Sequence, residues 1–218
     1  YGLTSARATV KHRAGDIGLI EADLYHNVAD FDQRAGNFYN SEQRITVAQL
    51  RLLSKLVASH AVRLSTEWRR NEIDSFPNRG AEIGYDVYSV GGMWDWQILP
   101  ELALTNAFRF DYLTLERKKA QVPPFTNEQF DRSLSEISYN GGLVWQMTAT
   151  DALRLSVGRG VQVPSLVLFG FSLSTPGPVI AGEPKTDAGI LWNYEAGWDH
   201  SLPSIDGLAR VALFRQEL

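Results

Sequence analysis

The sequence predicts an all-β chain, an antiparallel up-and-down transmembrane β-barrel of which about ten strands are present. Three observations predict it. Apolar and polar side chains alternate with period two in segment after segment, short and long connections take strict turns along the chain, and the tryptophans fall on apolar positions near predicted strand ends. Period two is the repeat of a strand with one apolar face.

The first segments are compatible with this pattern but weak: Ala6, Ala8 and Val10, then Ile20, Ala22 and Leu24, then Ala48, Leu50 and Leu52. From there the alternation strengthens. "HAVRLSTEWR" sets Val62, Leu64, Thr66 and Trp68 against Arg63, Ser65, Glu67 and Arg69, and "YSVGGMWDWQI" sets Tyr88, Val90, Gly92, Trp94 and Trp96 against Ser89, Asp95 and Gln97. "LALTNAFRFDY" follows with Leu102, Leu104, Phe108, Phe110 and Tyr112 opposite Thr105, Arg109 and Asp111; only Asn106 interrupts its apolar row. "SEISYNGGLVWQM" places Ile137, Tyr139, Leu143, Trp145 and Met147 against Glu136, Ser138, Asn140 and Gln146, and "ALRLSVG" places Leu153, Leu155 and Val157 against Arg154 and Ser156. "WNYEAGWDH" has Trp192, Tyr194, Ala196 and Trp198 alternating with Asn193, Glu195, Gly197 and Asp199, while "GLARVALFR" is too short and mixed for its faces to be assigned.

Tight connections are expected at 13 to 16, 55 to 59, 99 to 101, 148 to 151 and 202 to 207, and long polar ones at 27 to 43, 70 to 84, 113 to 133 and 160 to 190. All long connections then leave one end of the meander and all tight turns the other, as extracellular loops and periplasmic turns do in outer-membrane barrels. A soluble sandwich gives no reason for that regularity.

From Val62 onward the apolar rows carry no Lys, Arg, Asp or Glu, although charges stand one residue away. Arg or Lys at the lipid midplane costs about 2–4 kcal/mol, so a row facing lipid excludes them. All six tryptophans lie on that face: Trp68 and Trp192 toward the long connections, and Trp94, Trp96, Trp145 and Trp198 toward the tight turns. Indole joins an apolar body to a polar N–H and collects where acyl chains meet head groups. Tyr88, Tyr112, Tyr139 and Tyr194 join the long-connection girdle. A lipid bilayer is therefore the first expected partner.

Composition removes other classes. The net charge of −4 and pI near 5.6, with scattered Lys and Arg, argue against a nucleic-acid partner. Without cysteine there is no disulfide, thiol nucleophile or thiolate metal site. No stretch reaches the roughly 18 apolar residues of a membrane helix. His12, His26, His60 and His200 show no metal-ligand spacing, "GRGVQV" at 158 to 163 lacks the third glycine of a dinucleotide loop, and "DFDQRAG" at 30 to 36 lacks the geometry of a calcium loop. No catalytic residue, cofactor or metal site is expected.

Residues 158 to 170, "GRGVQVPSLVLFG", and 192 to 214, "WNYEAGWDHSLPSIDGLARVALF", resemble the barrel of the TonB-dependent outer-membrane receptors. The matching positions are Arg159, Gly160, Pro164, Ser165, Leu166, Phe169 and Gly170, then Asn193, Tyr194, Glu195, Gly197, Trp198 and Phe214. They mark architecture and do not name a ligand. Val161, Gln162, Val163 and Val167 depart from the family's usual pattern. The resemblance implies a barrel of about 22 strands closed by an N-terminal plug, located in the outer membrane of a Gram-negative bacterium. It also implies energised uptake of a scarce nutrient, such as an iron–siderophore complex or cobalamin, with the TonB complex, the plug and a small-molecule or metal-chelate ligand as partners. Plug and TonB-contacting segment are absent from these 218 residues, and open strand edges in hydrocarbon would leave backbone groups unpaired. Residues 1 to 218 are therefore expected to form part of one larger barrel domain.

Two other readings compete: a small outer-membrane barrel closed on itself, working as a pore or protease, and a soluble β-rich binding domain. Inside a barrel, the charges Arg51, Arg63, Glu67, Arg69, Arg109, Asp111, Arg154, Glu195 and Asp199 are expected to face the lumen and meet a plug or passing solute. Their structural alternative is a ladder of neighbouring opposite charges on the wall.

Overall fold

The computed structural model describes residues 1–33, 39–76, 81–119, 126–166, 172–173, 180–183 and 185–218. Ten long strands make one antiparallel sheet: β1 (Gly2–Arg13), β2 (Leu19–Gln33), β3 (Tyr39–Val57), β4 (His60–Phe76), β5 (Ala81–Leu99), β6 (Leu102–Lys118), β7 (Arg132–Gln146), β8 (Asp151–Gln162), β11 (Gly189–Leu202) and β12 (Gly207–Glu217). Each pairs with its neighbours in the chain. Between β8 and β11, the short β9 (Ser172–Leu173) and β10 (Ile180–Ala181) pair with each other in a separate two-stranded sheet. No second sheet covers the apolar face among the described residues, and cross-strand neighbours such as Val90, Phe110 and Ile137 stay exposed, unlike the core of a soluble sandwich. The sheet is also open, with β1 joined only to β2 and β12 only to β11, so these ten strands do not close a small barrel among themselves.

The tight turns gather at one end as expected. The first illustrates why its residues are there: Ala14 N–H donates to the Gly18 carbonyl at 2.8 Å, and Gly18 adopts φ 120° beside the backbone of β3. A Cβ at Gly18 would fall 2.2 Å from the Leu53 carbonyl oxygen, so only glycine fits.

The other end differs from expectation. The stretches 27 to 43 and 70 to 84 are largely strand, and β6 carries on to Lys118 within 113 to 133, because β2 to β6 run for 15 to 19 residues. A tilted strand crosses the hydrocarbon in about 9–11 residues. The remainder continues beyond it, where the alternation reverses. Near the tight turns, Leu24, Leu50, Leu64, Val90 and Phe110 point outward, and Glu21, Asp23, Glu67 and Ser89 are buried inward. Farther along, Arg70, Glu72, Asp74, Glu82, Asp86, Glu116 and Lys118 occupy the outward positions, while Ile73, Ile83, Leu113 and Leu115 form a buried inward cluster. The buried non-glycine residues of the long strands all share the inward parity, which marks that face as the concave wall. Polar residues on the expected lipid positions imitate a loop in the sequence, yet the same backbone ladder continues through them.

Trp68, Tyr88 and Tyr112 are register neighbours at the reversal. The Trp68 indole N–H donates at 3.0 Å to Asp86, the first outward carboxylate beyond it. Trp68 thus lies in the middle of β4 and not near a strand end as expected. It marks the level at which the outward row turns from apolar to charged, and the strand simply does not stop there.

Candidate functional site

The inner wall beside the apolar band is a network of paired charges. Antiparallel register places Gln49, Glu67, Ser89 and Asp111 side by side on β3 to β6. Glu67 is a hub: it accepts from Arg109 Nη2 at 3.0 Å, Arg69 Nη2 at 3.2 Å and Gln49 Nε2 at 3.2 Å. Arg109 turns its other donors to Asp111 at 2.8 Å and to the Ser89 hydroxyl at 2.7 Å. A second hub, Asp23, accepts from Arg7, Thr9 and Arg51, with Glu21 beside it bound to Lys11. On the same face toward the β12 edge, Asp199 holds Arg154 at 2.8 Å and Arg210 at 3.0 Å. Each buried carboxylate is compensated by more than one cation or hydroxyl, as charge removed from water must be.

Of the charges expected on this face, the structure joins Glu67, Arg69, Arg109 and Asp111 in one cluster, links Arg51 to the Asp23 hub, and pairs Arg154 with Asp199 and Arg63 with Asp95 at 3.5 Å. Glu195 is exposed on the same face with no polar partner among the described residues. Sequence reasoning missed Arg7, Glu21, Asp23 and Arg210. A signal existed, since Glu21 and Asp23 interleave with Ile20, Ala22 and Leu24, but a three-residue apolar row is too weak to make its complement stand out.

A cavity of about 200 Å³ opens on the inner wall where the two bands meet, with Arg69, Arg109 and Asp111 on its polar side and Tyr85, Leu113 and Leu134 on its apolar side. Two connections fold in above it. Leu166 packs on the Ile73, Ile83, Leu113 and Leu115 cluster. Phe130, buried at the end of a one-turn 3-10 helix (Asn127–Phe130), lies with its ring centroid 5.4 Å from the Arg117 guanidinium, and Arg117 also donates to Asn127 at 2.8 Å. Burial pulls the Arg117 pKa down from its ordinary value. The helix is held at its start by reciprocal hydrogen bonds between Thr126 and Gln129.

The outward rim near the tight turns is aromatic. Trp94 and Trp96 stack at 5.2 Å, with His60 against both, and the Trp94 indole donates to His60 Nδ1 at 3.0 Å. A second group joins Trp198, His200 and Asp151: the rings stack at 5.5 Å, and Asp151 accepts from Trp198 at 3.2 Å and from Thr148 and Thr150 at 2.7 and 2.8 Å. These hydroxyls, Thr148 foremost, hold the Asp151 carboxyl well below the usual carboxylate range, helped by His200 at 2.7 Å. His60 thus acquires its ring partners from the adjacent strand β5, while His200 stacks on Trp198 of its own strand and meets Asp151 across the register. Trp145 stands at the same end, paired in register with Leu102 and Leu153. Among the described residues no group of three or more His, Asp or Glu is arranged to hold a metal ion.

The motif positions take structural places. Arg159 donates to Glu136 at 2.9 Å and to the Ile137 carbonyl; Gly160 continues β8, and Pro164, Ser165 and Leu166 begin the connection after it. Phe169 and Gly170 lie outside the described residues. Tyr194 stacks on Trp192 at 6.1 Å on the outward face, and Gly197 is buried beneath the Arg154 guanidinium. Phe214 is paired with Glu195, which puts it on the inward row, while Val211 and Leu213 take the outward positions that the sequence left unassigned.

The sequence matches the family described as "TonB dependent receptor-like, beta-barrel" over residues 3–218. No curated protein sequence matches the chain. The fold is similar to the closed form of the ferric-catecholate import receptor Fiu of E. coli K12, with a TM-score of 0.71 at 14% identity over 98% of this chain and 40% of that one. It is similar to the copper transporter OprC, with a TM-score of 0.77 at 14% identity over 98% and 38% of the two chains. It is also similar to a mutant of the ferric enterobactin receptor PfeA of Pseudomonas aeruginosa in complex with enterobactin, with a TM-score of 0.75 at 17% identity over 97% and 34%. The chain spans two fifths or less of the length of these structures.

Proposed function

Given that the chain belongs to the TonB-dependent receptor-like β-barrel family, we propose that it is the wall segment of an outer-membrane receptor that imports a scarce nutrient in a Gram-negative bacterium. The cargo is a small metal chelate such as an iron–siderophore complex, or cobalamin, and the chain works as a transporter and not as an enzyme. The observation that carries the reading is the reversal of polarity along β2 to β6. An apolar outward band fits hydrocarbon, and the charged outward band above it fits water beyond the head groups.

In this reading the strands of the upper band form a walled vestibule, and the inner charge network of the lower band is the surface against which an N-terminal plug packs. A charge-compensated wall suits that role, since it offers hydrogen bonds to a plug without leaving naked charge when the plug fits closely. The missing strands continue from the free edges of β1 and β12, and the TonB complex acts through the region outside this chain.

The test is uptake by the full-length protein in an outer-membrane host deprived of its own receptors, with labelled ferric siderophores and cobalamin offered in turn. Accumulation of one of them that disappears when TonB is deleted supports the proposal. Equal uptake with and without TonB, or none of any cargo from a correctly inserted protein, overturns it.

A further inference from the structure

The pairing of the sheet is broken at one seam. β7 is paired with β6 from Arg132 through Trp145, but with β8 only from Tyr139 to Gln146. Above Tyr139 the two strands part, although β8 keeps its pairing with β11 through Gln162. The Ile137 carbonyl, which would otherwise face the Val161 amide, accepts instead from the Arg159 guanidinium, whose other nitrogen binds Glu136 at 2.9 Å. Beyond this, Arg132 donates at 2.9 Å to the Thr186 carbonyl and at 3.1 Å to Asp187, so the chain returning to β11 is tied across the gap by side chains.

Glycines flank the same point. A Cβ at Gly158, Gly160 or Gly189 would come no closer than 3.8 Å to a neighbour, and none of the three has positive φ. Neither crowding nor conformation demands glycine there, and glycine inside a strand weakens it. What they supply is backbone freedom on the β8 and β11 side of the seam. The cavity described above lies directly behind, bounded by Leu134, Glu136 and Ser138 of β7 and by Val161, Val163 and Ala188 across the gap.

We propose that the upper ends of β8 and β11, with the described ends of the connection between them, form a flap that swings on Gly158, Gly160 and Gly189, and that Arg159 is the latch holding it to β7. Opening admits solute to the cavity from the side of the vestibule. The geometry does not depend on which cargo the barrel carries.

Amide exchange in the full-length protein in lipid nanodiscs tests this. Ser133, Ser135 and Ile137 share one orientation toward the seam, as Tyr139, Gly141 and Leu143 do below it. In the unsubstituted protein the Ser135 and Ile137 amides are expected to exchange at least about tenfold faster than Gly141 and Leu143. R159Q releases the latch: the Tyr139 and Gly141 amides speed up by about tenfold, and a cysteine placed at Ser138 reacts faster with a water-soluble maleimide. The triple variant G158A/G160A/G189A shifts both readouts the other way. Equal protection above and below Tyr139 in the unsubstituted protein overturns the proposal even if R159Q fails to fold. So does an R159Q protein whose exchange and labelling are unchanged.

Discussion

Glu67 shows how much a single residue carries on the inner wall. It is 8% exposed and accepts from Arg109, Arg69 and Gln49, so Glu67→Ala leaves two guanidiniums without their shared anion. Both arginines are more than a third exposed, which lets water absorb part of the loss, and the expected cost is about 1–3 kcal/mol, read from denaturant unfolding in lipid vesicles. Glu195→Ala, on the same face but with no polar partner among the described residues, is expected to change nothing measurable in the same assay. Asp151 adds a pH dependence of known sign. Its folded carboxyl titrates below the unfolded value of about 3.9, so its stabilisation is complete above that value and disappears as pH falls through the folded one. Asp151→Asn is therefore expected to lower the melting temperature at pH 7, with the gap to the parent closing only in strong acid. At this scale the sequence revealed which residues are charged and on which row they fall. It did not reveal their partners, because Glu67 and Arg109 are 42 positions apart and meet only through two intervening strand registers.

At the scale of the strand, one rule governs both bands: the face toward water is polar and the other is not. Val90 and Phe110 point outward in the lower band, as the proposed lipid surroundings require, and Ile83 and Leu113 turn in where the proposed setting puts water outside the upper band. Two substitutions separate the bands. Val90→Arg places a charge against hydrocarbon and is expected to cost about 2–4 kcal/mol, while Glu72→Leu, on the same outward row of the neighbouring strand but above the boundary, should cost less than about 1 kcal/mol. Unfolding of the two variants in vesicles checks this, and equal costs would place the boundary elsewhere. The reversal also explains a misreading. "RNEIDSF" at 70 to 76 looks like a loop because Arg70, Glu72 and Asp74 occupy positions expected to be apolar, and of the inward row Asn71, Ile73 and Ser75 only Ile73 is apolar. The strand pairing never ceases; the polarity of its two faces changes.

For the whole molecule, the two free edges matter most. β1 is exposed along its entire length and β12 nearly so, and each carries a row of backbone groups with no neighbour strand. In hydrocarbon each unpaired group costs several kcal/mol, so the chain expressed alone is expected to aggregate and not to insert into vesicles, whereas the full-length protein inserts and shifts mobility on heating in a gel. Quenching by lipids brominated at different depths gives a second check: Trp94, Trp96, Trp145 and Trp198 should respond most to quenchers near one interface. The amino-acid sequence by itself determined the all-β class, the meander, the outward apolar row and the segregation of tight turns from longer connections, because period two, turn residues and tryptophan placement are local and survive without any knowledge of neighbours. Only the tertiary structure decided how far the strands rise past the membrane, which charges neutralise one another, and where β7 and β8 part. Those features depend on strand register and on which side of the wall meets water, and both arise only when separate segments are brought together.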